Sequence, residues 1–211
     1  MVSPERLLAF CAMATLIILV PGPSVLFVVG RALAHGRRTA LTSVIGNEVG
    51  ALLLSTAVAL GIGSLVAESA VLFTTIKLVG AAYLVYLGVQ AVRQRRKLTE
   101  ALAETEDSGG RRAFWQGLVV GITNPKTSVF FAAVLPQFVD RAAGHVPLQM
   151  AFFGVIFCLI ALVLDSAWGL AAASARTWLA RSPRRLAMIG GTGGLMMIGL
   201  GLAVATTGRK D

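Results

Sequence analysis

Six stretches of the chain run for more than twenty residues almost free of Asp, Glu, Lys and Arg. They cover residues 7–30, 39–67, 69–92, 113–139, 146–175 and 186–208. A bilayer core ~30 Å thick takes about 20 apolar residues of helix, so each stretch predicts a membrane-spanning helix. Four of the runs contain a single interior charge: Glu48, Lys77, Lys126 and Asp165. The first run has Glu5 beside Arg6 ahead of it and no small-x-small cleavage pattern before Pro21. It reads as a retained span rather than a cleaved signal peptide.

Between the third and fourth runs lies the polar linker 93–112, RQRRKLTEALAETEDSGGRR. It divides the chain into residues 1–92 and 113–211, each carrying three spans. The loops after spans one, three and five hold thirteen cations, and the other side holds four, Arg6, Arg141, Arg209 and Lys210. By the positive-inside rule the first side faces the cytoplasm and both termini lie outside, as in a multi-pass protein of a bacterial inner membrane. Trp115 and Trp178 fall near the cation-rich boundary, where an interfacial aromatic belt sits. Composition agrees. Hydrophobic residues make up 56% and charged residues 14%, against roughly 25% charged in soluble domains. The formal net charge of +9 is gathered in short clusters between apolar runs, not on a groove-binding face, which argues against a nucleic-acid partner.

Two runs are interrupted by helix breakers. Pro21-Gly22-Pro23 lies inside the first. Proline removes a backbone donor and clashes with the preceding turn, so the helix should kink or unwind there. Asn124-Pro125-Lys126 lies inside the fourth and reads as a helix start, with Asn as N-cap and Pro at the first helical position. Unwound backbone at membrane depth is tolerated only against protein or a water-filled cavity. Each break falls in the first span of a three-span half, and an odd number of spans per half makes the halves run in opposite senses. The predicted fold is therefore all-α integral membrane, six transmembrane helices as two inverted three-helix repeats, with helices one and four broken near the midplane. The half-helices starting at Pro23 and Pro125 would present amides and positive dipole ends to the centre, a place for a carboxylate.

A buried charge at the helix centre is costly and faces a cavity or a partner. Lys126 can supply positive charge to a carboxylate site or form a fixed ion pair with Asp165 or Glu48. Glu48 and Asp165 lie in the second span of each half, so either can meet a substrate ammonium, carry a coupling proton or serve as a structural pair. Glu48 and Asn47 are bracketed by Gly46 and Gly50, one turn apart, which permits close helix contact. Gly190 and Gly194 form a second such pair, serving a contact within the chain or between two copies in a homodimer. Lys77 stands nearer a span end and can snorkel. Tyr83, Tyr86 and Trp168 read as packing or cavity wall. Cys11 and Cys158 sit in apolar runs without a CxxC, and His35 and His145 have no ligand-like neighbours. Nothing therefore asks for a metal, a cofactor or an enzymatic nucleophile.

Two segments carry a family resemblance. PGPSVLFVVGRALAHGRRTALTSVIGNEVG at residues 21–50 resembles the start of the lysine-exporter superfamily in its homoserine/threonine-efflux branch, and NPKTSVFFAAVLPQFV at 124–139 resembles that branch's second signature. The resemblance implies a secondary transporter that exports amino acids or derivatives from the cytoplasm by proton antiport. It places Pro21, Gly22, Pro23, Asn124, Pro125 and Lys126 on motif positions and Glu48 and Asp165 on family positions. With Asn47 these form the expected substrate site, and Glu48 or Asp165 the proton-coupling group. The rival reading is a metal or inorganic-ion exporter on a related six-helix plan, against which the lack of an intramembrane His/Cys cluster counts.

Overall fold

Ser3 begins the first helix because its side chain accepts a hydrogen bond from the Arg6 amide, with Pro4 at the first helical position. A computed structural model of the chain describes residues 3–68, 70–94, 110–175, 178 and 182–206, and among them there is no strand. Helix α1 (Pro4–Leu19) stops where Val20 turns extended, and α2 (Pro23–His35) restarts after an extended Gly22. The two are bent by 51°. Gly36, at φ +81°, provides the left-handed residue that ends α2 and turns the chain directly into α3 (Arg37–Glu68). Helix α4 covers Ala70–Gln94.

The second half repeats the interrupted pattern differently. Helix α5 (Gly110–Thr123) is broken by a single extended residue, Asn124, and resumes as α6 (Pro125–Val129). The chain then widens into a π-helical turn (Phe130–Val134) and tightens into a 3₁₀ turn (Leu135–Phe138). The extra residue per turn of π geometry brings Phe130 and Phe131, adjacent in sequence, both into the core. Helix α7 (Val146–Ser174) follows left-handed Gly144 and His145, and α8 covers Pro183–Thr206.

Among the described residues, three helical runs are long and apolar enough to cross a membrane: Arg37–Gly61, Gly110–Phe138 and Val146–Ser174. The bent pair α1–α2 passes the same test as one broken span. Helices α4 and α8, of 25 and 24 residues, have the length for a ~30 Å core at 1.5 Å rise per residue. The protein is thus an all-α membrane protein. The two interruptions are unequal: the first bends the chain across three residues, whereas the second leaves Gly110–Phe138 a single span.

Helix α3 is central. It packs on α5, α7 and α2, while α4 and α8 pack on one another and α4 reaches the π turn. The α3–α5 crossing is a backbone contact made by four glycines. A Cβ at Gly46 would land on the Phe114 carbonyl and one at Gly50 on the Leu118 carbonyl. Reciprocally, Gly117 and Gly121 of α5 abut the carbonyls of Ser43 and Asn47. The small-residue spacing read at Gly46 and Gly50 therefore has a matching pair on the facing helix.

Two apolar clusters lie along the bundle. One, rich in phenylalanine, joins Phe10 of α1 to Phe153 and Phe138 (ring centroids 4.6 and 5.3 Å), and Phe157 to Phe130 and Phe131 (5.0 and 4.9 Å). The other, made mainly of valine and alanine, lies towards the end carrying Arg31, Arg37 and Arg38: Val25, Val28, Val29, Ala32, Ala40, Val44 and Ala172. Beyond the aromatic cluster, Gln149 clasps the 139–145 loop. It accepts from the Asp140 amide (2.9 Å) and donates to the carbonyls of Asp140 and Gly144 (2.8 and 2.7 Å). Asp140 in turn pairs with Arg6 at 3.2 Å. Linker residues 95–109 lie outside the described residues, as do the surroundings of Lys77, Tyr83, Gly190 and Gly194. Tyr86 is exposed, and Trp168 packs on the valine cluster.

Candidate functional site

Between the two apolar clusters the helices bury a set of polar side chains: Ser24 on α2, Asn47, Glu48 and Ser55 on α3, Asn124, Lys126 and Thr127 at the second break, and Asp165 on α7. Glu48 stands eleven residues from the start of α3 and Asp165 nine from the end of α7, which at 1.5 Å per residue is roughly 17 Å and 14 Å from the cation-rich end. Both acids therefore sit at the same depth, about half the thickness of a ~30 Å apolar core.

All of these but Ser55 line one cavity, with Ile18, Val25, Ala51, Phe157 and Ala161 completing the wall. Its volume is about 20 Å³, room for about one water molecule. Five of the residues singled out in the sequence meet there: Asn47, Glu48, Asn124, Lys126 and Asp165. Pro21, Gly22, Pro23 and Pro125 are absent from the wall. They shape the backbone that delivers their neighbours, and Pro23 is turned outward and exposed.

The second break is closed by its own side chain. The Asn124 amide oxygen accepts from the Lys126 backbone N–H (3.1 Å), and its Nδ2 donates to Ser24 Oγ, tying the two broken spans together at their interruptions. The first break has no such cap, since Gly22 has no side chain. The two helix starts, equivalent in sequence logic, are therefore unequal: α6 is capped from within, and the first-turn amides of α2 are not.

Lys126 forms neither ion pair considered from the sequence. Its ammonium donates to the carbonyls of Ile17 (3.0 Å) and Val20 (2.8 Å), the last turn of α1. Neither acid comes within ion-pair distance of it. The break in span one leaves carbonyls without intrahelical partners, and a cation at a helix C-terminus satisfies them and favours the dipole. Gly22 makes room for this: a Cβ there would stand 3.1 Å from the Lys126 side chain. The glycine of the first break and the lysine of the second are one packing unit.

The acids keep open valences. Asn47 Nδ2 donates to Glu48 Oε1 at 2.8 Å. Glu48 Oε2, Asp165 Oδ1 and Asn47 Oδ1 are buried without a hydrogen-bond partner, as is Ser55 Oγ two turns further along α3. Buried polar atoms are nearly always paired, so three such oxygens on residues lining one cavity mark a place built to receive donors. Among the described residues no three His, Cys, Asp or Glu side chains gather in metal-ligating geometry. Ser24 and Thr127 were not singled out in the sequence. The signal was their place directly after the two breaks, in PGPS and NPKT.

Comparison with known proteins agrees in outline. Residues 15–208 match the family model described as LysE type translocator. An uncharacterized membrane protein of Vibrio cholerae is 36% identical over 200 residues, covering 94% of this chain and 96% of that one. A homoserine/homoserine lactone efflux protein of Salmonella typhimurium is 29% identical over 199 residues, covering 94% and 95%. No solved structure matches the chain.

Proposed function

The chain belongs to the LysE-type translocator family, and we propose that it is a secondary transporter that exports amino acids or close derivatives in exchange for protons. The observation that carries this reading is the set of unpaired acceptors on Glu48, Asp165 and Asn47 within a cavity also lined by the start of α2. A zwitterion fits that pairing. Its ammonium supplies up to three donors to the acids and Asn47, and its carboxylate meets the uncapped first-turn amides at Ser24 and Val25. The Salmonella relative, named for homoserine and homoserine lactone efflux, supports a small amino acid or its derivative as the substrate class.

Coupling follows from competition. A carboxylate that holds an ammonium in a dry pocket takes a proton when the ammonium leaves, because an isolated charge at that depth is too costly. Proton and substrate thus occupy Glu48 and Asp165 in turn. A cavity with room for one water cannot hold an amino acid, so the state described is closed and the cycle requires opening to each side. In this reading residues 1–92 and 113–211 are the two inverted halves, with both termini on the outer face.

The test is efflux from cells preloaded with labelled amino acids, followed by counterflow in vesicles under an imposed proton gradient. Faster loss of one or a few species than from control cells, accelerated by the gradient, is the expected result. Unchanged efflux of every amino acid, with the protein verified in the membrane, would overturn the reading.

A further inference from the structure

Serine and threonine inside a helix can satisfy their hydroxyls on the carbonyl four residues back. Thr42, Ser43, Thr56, Thr123 and Ser128 all do so, at 2.7–2.9 Å. Ser55 does not. It is 2% exposed, and its Oγ is buried without a hydrogen-bond partner. The hydroxyl is aimed across the α3–α7 contact instead. A Cβ at Gly154 of α7 would fall on Ser55 Oγ, so the hydroxyl occupies the notch that this glycine leaves open. Close packing alone does not explain the serine, because alanine would fit the notch without leaving a buried hydroxyl unpaired.

The notch lies on a seam that leads out from the central cavity. Gly169 meets Ala40 as Gly154 meets Ser55, fifteen residues away along each helix. The two helices are therefore antiparallel in a fixed register, with Glu48 level with Ala161. Ala51 and Ala161 line the cavity, and Ser55 is one turn beyond Ala51. Small buried side chains, Ala51, Cys158 and Ala161, fill the seam between. Seven residues separate Glu48 from Ser55, roughly 10 Å of helix, and Gly154 stands roughly 12 Å from the start of α7. Among the described buried polar side chains, only Ser55 and Gln149 lie beyond the acids on the side away from the arginines. Gln149 is committed to the 139–145 loop. Ser55 thus divides the apolar gap between Glu48 and that loop. The ionisable groups facing this region are Glu48 on α3 and Cys158 and Asp165 on α7, while Lys126 is held by the carbonyls of α1.

We propose that Ser55 relays protons along the α3–α7 seam, between Glu48 and the face opposite the arginines. This rests on the proton exchange proposed above and adds the route, one that leaves the phenylalanine cluster in place. A hydroxyl accepts one proton while giving up another. Ser55 Oγ takes a proton from a hydronium on the loop side, leaving water, as its own O–H breaks. The released proton passes through water in the seam to the Glu48 carboxylate, where a new O–H forms. The serine is restored unchanged. Cys158, with a weak donor and a weak acceptor, is a poor substitute.

The test separates exchange from net transport in vesicles holding the full chain and a mixture of labelled amino acids that includes homoserine. Exchange of the label for the same mixture outside needs no net proton movement. Net efflux takes up protons, followed with a pH-sensitive dye. Ser55→Ala should slow net efflux and its proton uptake by about tenfold, with exchange within about twofold of the wild-type rate. Heavy water should slow net efflux by the wild type and leave exchange unchanged. Ser55→Gly, which opens the notch to a water, should restore most of the net rate. Wild-type proton-coupled efflux by Ser55→Ala would overturn the relay and leave the serine as packing. Equal loss of exchange and net efflux would overturn it as well. Failure of the export reading appears in the wild type instead, as no movement of any amino acid or movement without proton uptake, and either removes the relay with it.

Discussion

Lys126 is the residue whose chemistry depends most on its surroundings. In the chain it is a lone cation inside an apolar run; in the fold it closes the open end of α1 through Ile17 and Val20. Lys126→Met should leave both buried carbonyls unpaired at a cost of ~1–3 kcal/mol. That would lower the thermal midpoint in detergent by several degrees, and an unchanged midpoint would mean the two bonds contribute nothing. The acids behave otherwise, since their unpaired oxygens contribute no folding contact. Glu48→Gln and Asp165→Asn should each leave the folded protein at normal levels in the membrane while coupled efflux drops by about tenfold or more. Normal proton-driven efflux by both variants would remove them from the coupling step.

At the scale of the element, the decisive feature is the α3–α5 crossing. The four glycines let the helix backbones touch, and Asn47 and Glu48 lie between two of them. The same contact therefore sets the depth and aim of the acid. Gly121→Val should displace the Asn47 carbonyl and cost about 3 kcal/mol, enough to deplete folded protein visibly in size-exclusion traces. Gly61 is the internal comparison. It lies in the same helix α3, where an added Cβ meets nothing within 4 Å. Gly61→Ala should therefore stabilise by roughly 0.5–1 kcal/mol through better helix propensity. If both substitutions moved the unfolding midpoint alike, the crossing would not be what constrains these two helices.

For the molecule as a whole, the site lies between two seals of different make. The seal beyond Phe157 interlocks five further phenylalanine rings and is backed by the Gln149 clasp and the Arg6–Asp140 pair. The seal towards the arginine-rich end consists mostly of valine and alanine, which bury less area per residue and interlock less. The latter should open at lower cost. With Cys11→Ser and Cys158→Ala as background, a cysteine substituted for Ala161 in the cavity wall should be unreactive towards a small thiol reagent at rest. It should become reactive during transport, first from the arginine-rich face. Free reaction at rest would show that the closed cavity is not the resting state.

The sequence by itself determined the helices, their membrane character, the two interruptions and the residues worth watching. Apolar run length, proline chemistry and the cost of a buried charge are local properties, legible from residue types and spacing alone. Asn47, Glu48, Asn124, Lys126 and Asp165 were all visible as exceptions to an apolar background. Which of them pair was decided only by the tertiary structure, because pairing is a matter of distances between helices far apart in the chain. The crossing glycines of α5, the capture of Lys126 by the carbonyls of α1, and the bond from Asn124 to Ser24 each join segments more than sixty residues apart. Local periodicity carries no record of such contacts, so the inequality of the two breaks, one capped from within and one open, could be seen only once the helices were packed.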